Sequence, residues 1–424
     1  MGHGCIYVTN ARKKKTQCKA GFFQRHTRTH TTMLVALAAA GLPRSAPSHG
    51  AKANELHPHC ALPSNWPQLR GSSVRLLKGL AAHNGTDCFR SSEQLHDALH
   101  AADKLVLVKL VQAARPQWIS RHALFPAQPG TTRAYLPPGT IEVKISVGES
   151  FHAPNANTWF SLLPNASGVT VYAFEPNPVS CAILTLGLGA HGVTNWRGGS
   201  SAQGWLRENS LPSTHINTNY LLTCAAVSDE TPAVQTFHST PAGDTSSLNE
   251  PINLKRLGPS SRLRLNVTTL EAFFETLPWS ETMPETLPAG SPGVVDGVVN
   301  YVSQVKTDTQ GHDLKAFRGL GRFFRERVVY ATPEMGNKPS DGYRLPEESG
   351  DAKFNAFLKG HGFVPFRSRY CVDPTFVNTR LRHLGSKANV PFIHGGPPRD
   401  TPKDSALFGP PELRGANVAC TGTR

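Results

Sequence analysis

An apolar run holding Val298, Val299, Val302 and Val305 ends at Asp308, passes through Gly311, and gives way to Leu314, Phe317, Leu320 and Phe324 at spacings of three and four. Valines at that density suit a buried strand, and the later spacing suits a helix with one apolar side. The glycine between them suits a tight turn. Strand, turn and returning helix make up the repeating unit of an open α/β sheet. Such sheets take their ligands outside the carboxyl ends of the strands, so the pattern sets Asp308 at a functional edge rather than in packing.

The same alternation runs from Thr140 onward. Strands are expected at 141–147, 169–175, 220–227, 233–238, 298–307 and 327–334, with a terminal pair near 362–378. Helices are expected between them, at about 154–163, 178–188, 268–276, 312–325 and 352–360. Residues 91–114 read as a capped helix whose second half also alternates like a strand. Residues 116–138 have the composition of a linker, and 189–218 and 279–292 that of loops beside a site. The chain thus divides into a basic leader (1–54), an N-terminal helical extension and linker (55–135), an α/β domain (136–394) and a Pro/Gly-rich tail (395–424).

Charge separates these parts. The chain has a net charge of +14, but residues 1–54 carry nine Lys/Arg and no acid, so the remaining 35 basic and 30 acidic side chains leave the body at only +5. A nearly balanced body disfavours a nucleic-acid binder, and an acid-free basic leader reads as a targeting signal. Two destinations stay open. Arg-rich and Ser/Thr-bearing composition fits an organellar transit peptide, whereas the apolar stretch 33–42 fits a secretory signal starting at Met33. No apolar run approaches the ~20 residues needed to span a bilayer.

The eight cysteines form no Cys-x-x-Cys pair. Cys181 and Cys224 lie in apolar surroundings and are expected as core thiols, and Cys60 and Cys88 can bridge where conditions oxidise. Cys18, His26 and His30 echo a zinc finger, but Cys5 and Cys18 are too far apart to complete one, so no metal is expected. Three N-glycosylation sequons begin at Asn84, Asn165 and Asn266.

Lys306-Thr307-Asp308-Thr309-Gln310-Gly311-His312-Asp313-Leu314 resembles the late motif of the FkbM-type methyltransferases, usually Lys-x-Asp-x-Glu-Gly-x-Glu. The likeness extends in order through Val171-Tyr172-Ala173-Phe174-Glu175-Pro176-Asn177-Pro178 and Ala225-Ala226-Val227-Ser228-Asp229. Thr245-Ser246-Ser247-Leu248 and Val267-Thr268-Thr269-Leu270-Glu271-Ala272-Phe273-Phe274 continue it. Val372-Asp373-Pro374-Thr375-Phe376-Val377-Asn378 is similar to the closing strand of an algal and viral offshoot of that family. The resemblance spans roughly residues 136–385. It implies a Rossmann-like class I methyltransferase fold: a central, mostly parallel sheet with a terminal antiparallel strand and helices on both faces.

It also implies S-adenosyl-L-methionine as cofactor and O-methylation of a hydroxyl on a sugar or small natural product. Gly148, Ser150, Glu175, Asn177, Asp229 and Asp308 would then hold the cofactor. Asp308 and His312 would serve catalysis, and Ser247 and Glu334 would meet the small-molecule or glycan hydroxyl acceptor. Two departures sustain a second expectation, a catalytically inactive relative serving as a binding or scaffold protein. In Ser146-Val147-Gly148-Glu149-Ser150, Ser146 stands where the family's first motif, usually Asp-x-Gly-x-Asn-x-Gly, has its aspartate, and Gln310 replaces a glutamate and cannot act as a base. A sugar-transfer enzyme is disfavoured because no Asp-x-Asp metal motif occurs. An open cleft lined by Gly148, Glu175 and Asp308 is expected for the enzyme, and a cleft filled by Phe151 or Trp159 for the scaffold.

Overall fold

A computed structural model describes residues 107–385, with breaks at 109–110, 113–114, 117, 163–167, 186–210, 231–232, 241–244, 258–259, 336–341, 345–350 and 367–372. The leader, most of the 55–135 extension, the tail, the cysteines other than Cys181 and Cys224, and the sequons at Asn84 and Asn165 lie outside the described residues. So do most of the expected loop 189–218 and Val372 of the closing motif.

The chain runs through β1 (Glu142–Val147), α1 (Pro154–Leu162), β2 (Val169–Phe174), α2 (Pro178–Thr185), β3 (Tyr220–Thr223), β4 (Ala226–Val227) and β5 (Ala233–Ser239). It continues through α3 (Leu254–Leu257), β6 (Ser261–Thr268), α4 (Leu270–Phe274), β7 (Val294–Val295), β8 (Val298–Val299) and β9 (Val302–Thr307). α5 (Asp313–Arg318), α6 (Phe323–Arg327), β10 (Val328–Thr332), α7 (Asp351–Gly360), β11 (Phe363–Pro365) and β12 (Phe376–Asn378) complete the described elements.

Seven strands form the central sheet in the order β3-β2-β1-β9-β10-β12-β11. β1 pairs in parallel with β2 and β9, and β3 and β10 extend the parallel sheet on either side. β12 runs antiparallel to both β10 and β11. Counted in chain order these seven read 3-2-1-4-5-7-6, the doubly wound dinucleotide order with one reversed strand slipped in before the last. The expected antiparallel strand is therefore terminal in the chain but internal in the sheet. Every residue of β1, β2 and β9 is buried, as parallel strands covered on both faces require.

Helices flank the sheet, and the apolar stripe that predicted α5 packs as expected. Leu314, Phe317, Leu320 and Phe324 are all buried in one core cluster with Val147, Phe174, Phe273 and Val305. Each such side chain contributes about 2–3 kcal/mol on leaving water. Residues 116–138 do more than link: Ile119, Ala134 and Leu136 enter that core, and Phe125 meets the rings of Phe174 and Phe273 edge-on.

Three expected elements divide, and strands appear that were not expected. The strand expected at 220–227 is two: β3 stays in the central sheet, while β4 crosses to a three-stranded sheet ordered β4-β6-β5. β6 was not expected. The apolar run at 298–307 divides into a hairpin strand, β8, paired with β7, and the central strand β9. The helix expected at 312–325 divides into α5 and α6 at Gly321, at φ +54°; beside that turn, a Cβ on Gly319 would run into the Ser228 carbonyl. Cys181 and Cys224, expected as free thiols, are joined as a disulfide with Cα atoms 5.9 Å apart; α2 packs on β3 closely enough to bring them together. Among the described residues no helix is long and apolar enough to cross a membrane.

Candidate functional site

β1 and β9 are the central neighbours from which the chain winds outward in both directions, so the crevice beyond their carboxyl ends is the switch point of the sheet. A cleft of about 280 Å³ lies there. Its wall comes from residues 148–150 after β1, Glu175 and Pro176 after β2, and Ala226 and Val227 of β4. Val147, His152, Pro154, Phe237, residues 245–248, and Asp308, Thr309, Gln310 and His312 complete it. Of the residues expected at the site, Gly148, Ser150, Glu175, Ser247, Asp308 and His312 meet here. Phe151 and Trp159 do not fill the crevice; both are buried in the core.

Gly148 makes the first turn at φ +81°. Its amide donates to the Phe174 carbonyl at 2.9 Å, and the Asp308 amide donates to the Val147 carbonyl at 2.8 Å. A Cβ on Gly148 would collide with the Asp308 carbonyl. The glycine is thus required by the close approach of two loops of this chain, before any ligand is considered. Two residues on, Ser150 is held at φ +56°, a backbone state that costs a non-glycine residue of order 1–3 kcal/mol. That conformation aims its amide at Glu175.

Glu175 stands at the end of β2 with both oxygens engaged. The Ser150 amide donates to Oε2 and the Asn177 amide to Oε1, each at 2.7 Å. A carboxylate accepts about four hydrogen bonds, so acceptor capacity remains. Burial pushes its carboxyl up to about 7; the two amide bonds oppose the shift and nearby Asp308 adds to it. Glu149, which the sequence reading passed over, is fully buried beside it with neither carboxyl oxygen hydrogen-bonded. Burial pushes Glu149 up to about 8; the Ser146 hydroxyl offsets this only in part, and Glu175 reinforces it. No sequence signal marks Glu149, because an acid after a turn glycine ordinarily faces water.

Asp308 is partly open, its side chain 31% exposed with Oδ2 3.7 Å from Lys306 Nζ. Gln310 Nε2 donates to Asp308 Oδ1 at 3.0 Å and approaches both Glu334 oxygens at 3.4 Å. Lys306 is wholly buried, 3.0 Å from Asp373 Oδ2. Burial alone would lower its pKa, but Asp373, Asp308, Glu334 and Asp313 together outweigh that and raise it. The lysine therefore stays charged and anchors the carboxylates around it. Burial pushes Asp313 up to about 6. It also raises Glu334 well above the usual range, aided by Asp308, Asp313 and Asp373.

His312 Nε2 lies 3.0 Å from Ser228 Oγ, whose hydroxyl donates to Asp229 Oδ1 at 3.2 Å. With the serine proton committed to Asp229, Nε2 must be the nitrogen that carries hydrogen, and Nδ1 is enclosed without a partner. Burial lowers His312 to about 4; Lys315 adds to the shift and Asp229 opposes it. The imidazole is uncharged at neutral pH.

Ser247 Oγ bonds the carbonyls of Thr309 at 3.1 Å and Gln310 at 3.2 Å and accepts from the Asn249 amide at 3.0 Å. It pins the loop after β9 to the segment facing it. Asn177, Asp229 and Glu334, also expected at the site, do not line the cleft. Asn177 and Glu334 stand one hydrogen bond behind it, through Glu175 and Ser246 and through Gln310, and Asp229 stands two behind, through Ser228 to His312. Asn177 also caps α2, its Oδ1 accepting from the Val179 amide at 3.0 Å. Among the described residues no cluster of His, Cys, Asp and Glu is arranged to hold a metal ion. Comparison with protein-family models, with curated proteins and with solved structures finds no match for this chain.

Proposed function

We propose that the cleft binds S-adenosyl-L-methionine and that the chain is a methyltransferase of the Rossmann-like class I fold, acting on a hydroxyl of a sugar or small natural product. One observation carries this reading: Gly148, Glu175 and Asp308, from the ends of three neighbouring strands, meet in one open cleft at the switch point. The residues fit such a cofactor. Glu175, held rigid by two amides, has lone pairs left for the ribose hydroxyls. Ala226, Val227, Phe237 and Leu248 supply an apolar slot for a flat base, and the partly exposed Asp308 suits a cationic ligand. When bound, the cofactor would supply an activated methyl group. The chain's own part is to orient it and to take up the proton of the acceptor hydroxyl. Asp308 is the proton acceptor, because its carboxylate is partly exposed and fixed by Gln310 and Lys306. His312, whose Nε2 is committed to Ser228 and whose Nδ1 is enclosed, serves instead as wall.

The non-catalytic alternative is favoured by one observation. The space before Gly148, where a ligand backbone contact is expected, is taken by the Asp308 carbonyl. Calorimetric titration with S-adenosylhomocysteine separates the two. Micromolar binding is expected, weakened roughly a hundredfold or more in Glu175→Ala through the loss of charge-assisted hydrogen bonds. A chain that melts cooperatively yet binds nothing would leave the scaffold reading in place.

A further inference from the structure

The disulfide and the one sequon among the described residues have no part in the cleft, and together they report on where the chain matures. Cys181 sits on α2 and Cys224 just after β3, 43 residues apart in sequence. Their Cα separation of 5.9 Å lies within the range a disulfide spans. Disulfides of this structural kind form and persist in oxidising surroundings and are rare where thiols are kept reduced.

Asn266-Val267-Thr268 is an N-glycosylation acceptor. Asn266 is exposed on β6, and its cross-strand partner on β5 is Val234, itself 50% exposed. Directly opposed residues of an antiparallel pair share a face, so an apolar side chain lies open beside the asparagine. We infer that the chain matures in an oxidising secretory lumen, where Cys181 and Cys224 close a structural disulfide and Asn266 receives an N-linked glycan. Of the two destinations left open by the leader, this is the secretory one. The innermost sugars lie over Val234 and shield it from water. Thr268, buried in the folded chain, is no obstacle, because sugar transfer acts on the chain as it emerges, before β5 and β6 pair. Neither feature depends on what the cleft binds.

The test uses protein purified from its own cells. The protein is denatured in the presence of a thiol-blocking reagent, digested without reduction, and half the digest is treated with peptide-N-glycosidase in heavy-oxygen water. The expected result is a peptide containing Cys181 covalently joined to one containing Cys224, and a heavy-oxygen aspartate at position 266. Blocked thiols at both cysteines overturn the inference, and so does an unmodified Asn266, even with the disulfide intact. In a secreting host, Asn266→Gln is expected to remove one glycan while leaving cooperative melting unchanged. If the variant and the parent carry equal glycan mass, Asn266 is not the acceptor.

Discussion

Glu149 shows how far one side chain can bend the behaviour of a site. Its carboxyl and that of Glu175 hold their protons more tightly in the folded chain than in the unfolded one, with values of about 8 and about 7 against an ordinary 4.5. Their contribution to stability is complete below the ordinary value and is lost as pH rises through about 7 and then about 8. His312 works the other way: it is held uncharged down to about 4, so its contribution is present above 6.5 and is lost as pH falls through the folded value. Glu149→Gln fixes the neutral state. Its melting temperature is expected to equal that of the parent below about pH 4, to pull ahead as pH rises past the ordinary carboxyl value, and to exceed it at about pH 9. Parallel melting curves across that range would show that Glu149 carries no proton in the folded chain. Sequence did mark Glu175 and Asp308, since each closes an apolar run. Asn177, Asp229 and Glu334 were placed one or two hydrogen bonds too far forward, because a motif orders residues along the chain but does not say which side chain spends its bonds on its neighbours.

Elements were legible where apolar spacing was uninterrupted and obscure where neighbouring elements imposed their own demands. β1, β2 and α7 fall within a residue or two of expectation. β6 was missed although Leu263, Leu265 and Val267 alternate along it; the intervening Arg262, Arg264 and Asn266 hid a strand with one wet face. α5 and α6 are separated at Gly321, whose φ of +54° leaves the right-handed helical region, and beside that turn the Ser228 carbonyl packs against Gly319. Gly319 lies at φ −63°, a torsion any residue adopts, so its substitution tests sterics alone. Gly319→Ala is expected to cost about 2–3 kcal/mol, the usual penalty for overfilling a packed contact, read as a lowered urea midpoint with unchanged slope. An unshifted midpoint would mean that the loop carrying Ser228 yields without cost.

At the scale of the whole molecule, the mostly parallel sheet was the most foreseeable property and the cross-link the least. Alternating strands and helices with one late reversal lead to a doubly wound sheet, but nothing in an apolar context distinguishes a core thiol from half of a bridge. Closing a loop of 43 residues restricts the unfolded chain and contributes about 4 kcal/mol. Reduction, or Cys181→Ser with Cys224→Ser, is expected to lower unfolding free energy by about that amount; denaturant curves with and without reductant measure it. Equal curves would show the bridge absent from the folded protein. The contact between Gly148 and the Asp308 carbonyl has a consequence for ancestry. Because the sheet itself cannot close with a larger residue there, a descendant that abandoned its ligand would still keep this glycine. Among relatives of this chain, the persistence of that glycine records an inherited architecture, and only the side chains around it can record an inherited chemistry.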